Sequence, residues 1–183
     1  MIRVFDLFFS IIGLIIFAPL LIILTIAGWI KISSPLFWQQ RVGLHQKPFT
    51  LVKFRTMPPH TISVATHLVD TSKITGFGRF LRRTKLDELP QLWNVLRGDM
   101  SLVGPRPCLF NQNELVHERA KRGVFNVKPG ITGLAQIKGI DMSTPQLLAE
   151  IDSQMIKTFN LRSYFRYIFL TLFGKGAGDH IKK

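Results

Sequence analysis

Asp87 and Glu88 are adjacent, and four cations stand on the segments around them: Lys53, Arg55, Arg82 and Arg106. Two carboxylates are too few for an all-protein calcium cage. They match Mg²⁺, which takes one or two carboxylates and completes its shell with substrate phosphates and water. The cations suit a diphosphate, whose charge they can neutralise. An ionised aspartate beside a bound phosphoryl group can attack it and carry it covalently. The expected chemistry is therefore on phosphates. Asp87 and Glu88 are the candidate catalytic and metal-binding pair, and Lys53, Arg55, Arg82 and Arg106 the candidate substrate-binding residues. Each feature alone has a plainer reading. An Asp-Glu pair at a helix start can be a cap, and Lys53 and Arg55, two apart on one face of a strand, can be a solvated edge.

These residues need short elements to position them. Residues 36–42 and 49–55 read as two strands joined by the turn-like 43–48, a β-hairpin carrying Lys53 and Arg55. Residues 57–75, with Pro58-Pro59, read as a loop. Gly76 and Gly78 lead into a short basic helix with Arg79, Arg82 and Arg83 at i, i+3, i+4. Leu86, Leu89, Leu92, Trp93 and Leu96 share one helical face, with Gly98 as the stop. That helix starts either at Thr84, in a Thr-x-x-Asp capping box, or at Asp87 itself; both place the two carboxylates at a helix N-terminus, where the dipole favours their ionised forms. Pro105 and Pro107 fix the backbone around Arg106 and limit the entropy that side chain loses on binding. Residues 109–123 and 144–159 read as helices, and 127–139 as turn, strand, turn. Residues 160–173 mix aromatic, aliphatic and basic side chains, which suits either a helix in the headgroup region or a core helix with snorkelling arginines.

The chain is both greasy and basic: 46% hydrophobic, with a formal net charge of +13 over 183 residues. That balance favours an anionic membrane and anionic substrates, and it disfavours nucleic acid as the main partner. A single cysteine, Cys108, excludes an intrachain disulfide, and the histidines show no zinc-ligand spacing. From Leu7 to Ile30 there is no charge. As a straight helix this run reaches about 36 Å, enough for a hydrocarbon core of about 30 Å. Pro19 sits mid-run, where a missing N–H and a ring clash predict a bend. Basic residues lie on both flanks, Arg3 before and Lys31 and Arg41 after, so the run lacks the one-sided bias of a simple span. A bent helix that leaves by the face it entered satisfies both flanks. Arg3 and Asp6, at i, i+3, are expected to pair at the interface.

Three stretches carry a resemblance: Lys53-Phe-Arg-Thr-Met57, residues 86–107 from Leu-Asp-Glu-Leu-Pro to Gly-Pro-Arg-Pro, and Lys128-Pro-Gly-Ile-Thr-Gly-Leu-Ala-Gln136. They resemble the bacterial sugar transferase family, the monotopic phosphoglycosyl transferases, and in particular its minimal members. The resemblance implies an α+β fold with a re-entrant N-terminal membrane helix over 1–33. A catalytic domain over 34–183 follows, holding a small β-hairpin and several helices, some interfacial and amphipathic, on the cytoplasmic face of the bacterial inner membrane. It implies two steps. Asp87 attacks the β-phosphate of a UDP-sugar and releases UMP; undecaprenyl phosphate then takes the phosphosugar from Asp87. Glu88 is the second member of the dyad, serving metal or proton, with Mg²⁺ as cofactor. Arg82 and Arg106 match positions contacting phosphate or nucleotide. The family bends its membrane helix at Ser-Pro; here the pair is Ala18-Pro19. Where the family commonly continues with Gly-Arg-Asn after Gln136, this chain has Lys138-Gly-Ile-Asp-Met-Ser143, a difference expected to bear on the sugar, read here as an N-acetylated amino sugar. Downstream glycosyltransferases are the expected further partners. A membrane-bound lipid phosphatase or diphosphatase and a non-catalytic basic membrane scaffold are the competing readings.

Overall fold

The computed structural model describes residues 1–59, 61 and 70–174. Much of the loop expected over 57–75, and the last nine residues of the expected catalytic domain, lie outside them. The chain is of mixed helix and strand.

The apolar run forms helix α1, Ile2–Ile32, which continues through Pro19. It ends where Ser33 turns left-handed (φ 64) and returns its N–H to the Trp29 carbonyl at 3.0 Å. The buried residues of α1 fall at two ends: Asp6 and Ser10, then Leu24, Gly28 and Ile32, with none between. Ile11, Ile15, Ile16, Ile22 and Ile23 are exposed, so α1 is not the core helix of a soluble protein. The expected Arg3–Asp6 pair is corrected. Arg3 donates to the Val95 and Leu96 carbonyls at 2.5 and 2.9 Å. Asp6 Oδ1 accepts from Ser101 Oγ and Leu102 N at 3.0 Å each and from Tyr164 OH at 2.9 Å. Unpaired backbone carbonyls at a helix end and a buried phenol outbid a solvent-screened i, i+3 pair.

Strands β1 (Leu36–Val42) and β2 (Pro48–Phe54) form the antiparallel hairpin, with Phe37 opposite Lys53. Helix α2, Gly76–Thr84, is capped by Thr75, whose Oγ1 accepts from Gly78 N at 2.9 Å. The chain reverses at Lys85 (φ 57) into a 3₁₀ turn over Leu86–Glu88, and helix α3 follows over Gln91–Arg97, closed by Gly98 at φ 90. Neither expected cap is used. Thr84 Oγ1 bonds back to the Phe80 carbonyl at 2.9 Å, and Pro90 opens α3, its absent N–H costing nothing there. Asp87 and Glu88 therefore sit in the tight turn before the helix. The buried face of α3 is also not the leucine face: it is Gln91, Asn94 and Val95. Asn94 acts as a backbone surrogate beside β2, accepting from Val52 N at 3.0 Å and donating to Thr50 O at 2.7 Å. The leucine face turns to α1, where Leu92 packs against Gly13.

Strand β3, Ser101–Val103, pairs in parallel with β4, Gly130–Thr132. Helix α4 is Asn113–Lys121, shorter than expected, and residues Leu134–Ile137 form a one-turn helix, α5, where a turn was expected. Helix α6 is Pro145–Lys157, and α7, Leu161–Leu172, starts from an Asn160–Ser163 capping box. Helix α7 is two-faced. Tyr164 and Tyr167 join the core with Val103 and Met155, while Leu161, Phe165, Phe169 and Leu172 are exposed on the other side. Phe165 meets Phe5 and Phe9 of α1 edge-on, at centroid distances of 5.1 and 6.1 Å, joining the apolar surfaces of the two helices.

Candidate active site

The turn that carries the carboxylates is tied to the hairpin: Leu86 packs on the cluster of Leu24, Phe54 and Leu81. Asp87 is 7% exposed. Asp87 and Glu88 line a cavity of about 420 Å³ together with Arg82, Lys85 and Arg106. Its other walls are Ile131 and Thr132 of β4, Gln136 of α5 and the 139–142 segment, with the exposed Phe17 of α1 and Leu172 of α7 at its rim.

Arg106 Nη2 donates to Glu88 Oε1 at 2.5 Å. Burial pushes the Glu88 carboxyl up, but the charge and hydrogen bond of Arg106, with Lys53 and Lys85, outweigh it and hold Glu88 below the usual carboxylate range. Arg82 donates from Nε to Thr56 Oγ1 at 3.0 Å, which fixes its stem while its side chain lines the cavity. Lys53 does not line the cavity. It lies over the Phe37 ring, 5.5 Å from its centroid. Burial lowers its pKa to about 8; Arg41, Arg82 and Arg106 add to the shift, and the charge of Asp87 opposes it. Arg55 shares the Phe37 face, as the period of two requires, at 5.3 Å. It is spent on the main chain at the foot of the hairpin, donating to Ser34 O and Leu36 O at 3.1 and 3.3 Å, so the structure does not bring it to the cavity. The substrate-binding set thus divides: Arg82 and Arg106 in the wall, Lys53 within the field of Asp87, Arg55 elsewhere.

Among the described residues no cluster of three or more histidine, cysteine or acidic side chains is close enough to hold a metal. Asp87 and Glu88 fit Mg²⁺ as a partial oxygen set, completed by substrate phosphate and water. The surrounding cations, one already on Glu88, disfavour a bare divalent ion here.

Several residues of the site were singled out neither by periodicity nor by charge pattern, although Thr132 and Gln136 lie in the 128–136 stretch that carries the resemblance and Asp141 in the 138–143 segment. Lys85 reaches the cavity through a left-handed turn. Thr132, Gln136 and Asp141 come from elements too short to show a period. Arg41, Arg119 and Asp152 are buried behind the Arg106 loop. Arg119 shares the buried face of α4 with Leu115, an i, i+4 relation that apolar patterning alone does not single out.

The profile of the bacterial sugar transferase family matches residues 1–175. The chain is 43% identical over 172 residues to EpsL, an uncharacterised sugar transferase of Bacillus subtilis (strain 168), covering 93% of this chain and 84% of that protein. It is 42% identical over 167 residues to the UDP-glucose:undecaprenyl-phosphate glucose-1-phosphate transferase of Xanthomonas campestris pv. campestris. It is 36% identical over 190 residues to the undecaprenyl-phosphate galactose phosphotransferase of Salmonella typhimurium. Those two matches cover 82% and 92% of this chain but only 34% and 39% of the relatives' lengths. Matched along nearly its whole length, the chain belongs to the bacterial sugar transferase family.

Proposed function

We propose that this protein is a phosphoglycosyl transferase that moves a sugar 1-phosphate from a UDP-sugar to undecaprenyl phosphate, at the cytoplasmic face of the bacterial inner membrane. The observation that carries this reading is the make-up of the cavity. Two carboxylates and two arginines face the same space as Phe17 and Leu172, apolar residues of the exposed helices α1 and α7. A charged donor and a lipid acceptor can meet there. The names of the relatives, glucose- and galactose-phosphate transferases to undecaprenyl phosphate, support the same class.

In the first step an Asp87 carboxylate oxygen attacks the β-phosphorus, the bond from that phosphorus to the bridging oxygen breaks, and UMP leaves with the bridging oxygen. In the second, an oxygen of the lipid phosphate attacks the same phosphorus and the Asp87 carboxylate departs, giving a lipid diphosphosugar. Arg106 and Arg82 offset the charge of the diphosphate. Glu88, kept ionised by Arg106, stays an acceptor for metal or proton. Mg²⁺, held by Asp87 and Glu88, supplies further charge neutralisation when bound. The 138–143 segment contributes Gly139, Ile140, Asp141 and Met142 to the wall, which supports a role in choosing the sugar; an N-acetylated amino sugar is our reading of it.

Purified protein in nanodiscs with undecaprenyl phosphate should release UMP from one member of a panel of UDP-glucose, UDP-galactose and UDP-N-acetylated amino sugars. EDTA should stop release and Mg²⁺ restore it. With donor alone, intact-mass measurement should find a phosphosugar adduct that Asp87→Asn lacks. Undiminished turnover in Asp87→Asn would remove the covalent step. Free phosphate released from the lipid phosphate, with no UMP from any donor, would instead identify a lipid phosphatase.

A further inference from the structure

The segment 105–108, which carries Arg106, has prolines at 105 and 107 and so lacks two of its own backbone donors. Each of its four successive carbonyls nevertheless meets a donor from elsewhere. Pro105 O accepts from Gly130 N at 2.9 Å, and Cys108 O from Val42 N at 3.0 Å. Between them, Arg106 O accepts from Arg119 Nη1 at 2.8 Å and Pro107 O from Arg41 Nη1 at 3.1 Å.

The two guanidinia are mounted alike. Arg119 places Nε and Nη2 on Asp152 Oδ2, at 3.0 and 2.6 Å, leaving Nη1 for the carbonyl. Arg41 places Nε and Nη2 on Gln39 Oε1, at 3.0 and 2.6 Å, and again Nη1 takes the carbonyl. Arg119 is 2% exposed and Asp152 0%, and Asp152 Oδ1 has no hydrogen-bond partner among the described residues. A buried pair in that state is a poor route to stability, since an apolar pair of similar volume serves as well or better. Neither arginine lines the cavity. Stability does not account for the Arg119–Asp152 pair, and direct contact with a ligand in the cavity accounts for neither arginine.

We propose that Arg119, braced by Asp152, and Arg41, braced by Gln39, are positioning residues that grip the Arg106 and Pro107 carbonyls and so aim the Arg106 guanidinium at Glu88 and the donor's phosphates. The proposal rests on the reading of Arg106 as a phosphate contact. Its consequence is that the two grips act on the donor only through the Arg106 side chain.

A double-mutant cycle tests this, with UDP binding to the full chain in nanodiscs read by calorimetry. Two variants loosen the grip independently: Arg119→Met with Asp152→Leu, an apolar replacement for the buried pair, and Arg41→Met. Each should weaken UDP about tenfold or more, the scale of a misplaced contact, with a melting temperature close to wild type. Arg106→Ala should also weaken UDP, and in that background neither loosening variant should weaken it further. Equal losses with and without the Arg106 side chain would make both arginines merely structural, and no loss from either variant would overturn the proposal outright. If Arg119→Met/Asp152→Leu does not fold, the Arg41→Met arm decides by the same comparison. Unchanged UDP affinity in Arg106→Ala would instead refute the phosphate contact, and the proposal with it.

Discussion

Lys53 is expected to set an alkaline limit on the site. Its ordinary pKa of 10.5 is lowered to about 8, chiefly by burial, so its positive charge fades as pH rises through 8. If that charge supports Asp87 and the incoming phosphates, kcat/KM for the UDP-sugar should fall above about pH 8. Stability moves the other way. Between about 8 and 10.5 the unfolded chain holds a proton on Lys53 that the folded chain does not, so the folded state gains as pH rises across that window. The opposite signs separate titration from denaturation. Lys53→Arg cannot be neutralised in this range and should carry the falling limb to higher pH, read from rate profiles between pH 7 and 10. The same limb in Lys53→Arg would assign it to another group. The structure brings the two carboxylates, Arg82 and Arg106 to one cavity, although the turn that holds Asp87 and Glu88 is not the cap expected of it. Period two also placed Lys53 and Arg55 on one face. It could not tell that Arg55, one step nearer the strand end, meets the free carbonyls of Ser34 and Leu36. Arg119 and Asp152 are 33 residues apart and meet only through the packing of α4 on α6, which no local pattern encodes.

At the scale of elements, the site depends on the crossing of β3 and β4. A Cβ at Gly130 would lie 2.0 Å from Gly104 N and 2.5 Å from its Cα. One at Gly104 would lie 2.5 Å from Lys128 O. The two glycines let the main chains touch where β3 gives way to the Arg106 segment, and Gly130 N is also the donor to Pro105 O. Gly130→Ala should therefore cost at least the roughly 1–3 kcal/mol of an overpacked core and should displace the Arg106 loop. The expected outcome is a lower melting temperature together with lost turnover. Gly76→Ala, where nothing lies within 4 Å of the added carbon, is the control and should change neither. The pairing itself was not legible, since a three-residue parallel strand shows no alternation to read. The longer hairpin and helices α2, α6 and α7 fall close to where the sequence placed them. The miss at α3 has a different cause: its buried face is polar because Asn94 completes the backbone bonding of β2, and its leucines serve α1.

At the scale of the molecule, the question is whether α1 crosses the bilayer. By length it can, since its 31 residues extend about 46 Å. Its contacts argue otherwise. At one end Arg3 and Asp6 are fastened to α3, β3 and α7. At the other, Leu24 packs on Phe54 and Leu81, and a Cβ at Gly28 would stand 3.0 Å from the Pro35 side chain. Both ends thus rest on the domain that carries Asp87, and the exposed isoleucines lie between them. A crossing helix would have to tear one set of contacts away, exposing either a bonded carboxylate and guanidinium or an apolar cluster. We therefore expect α1 to enter the membrane and return, with its first turn on the same side as Asp87. On α7 the exposed Phe165 packs edge-on against Phe5 and Phe9 of α1. A cysteine in a short tag ahead of Met1, in a Cys108→Ser background, tests this; Cys108 is buried and its replacement leaves the tag as the sole thiol. In intact cells an impermeant maleimide that reaches the periplasm should leave the tag unlabelled, and permeabilised cells should label it. Labelling from outside would mean a true span. We expect the return at Pro19, which lacks the N–H that would bond the Ile15 carbonyl in the exposed middle of α1. Pro19→Ala should restore that bond, stiffen the helix at this point and make a fraction of the tags accessible from outside. An unchanged labelling pattern would mean that the two anchored ends alone hold the turn.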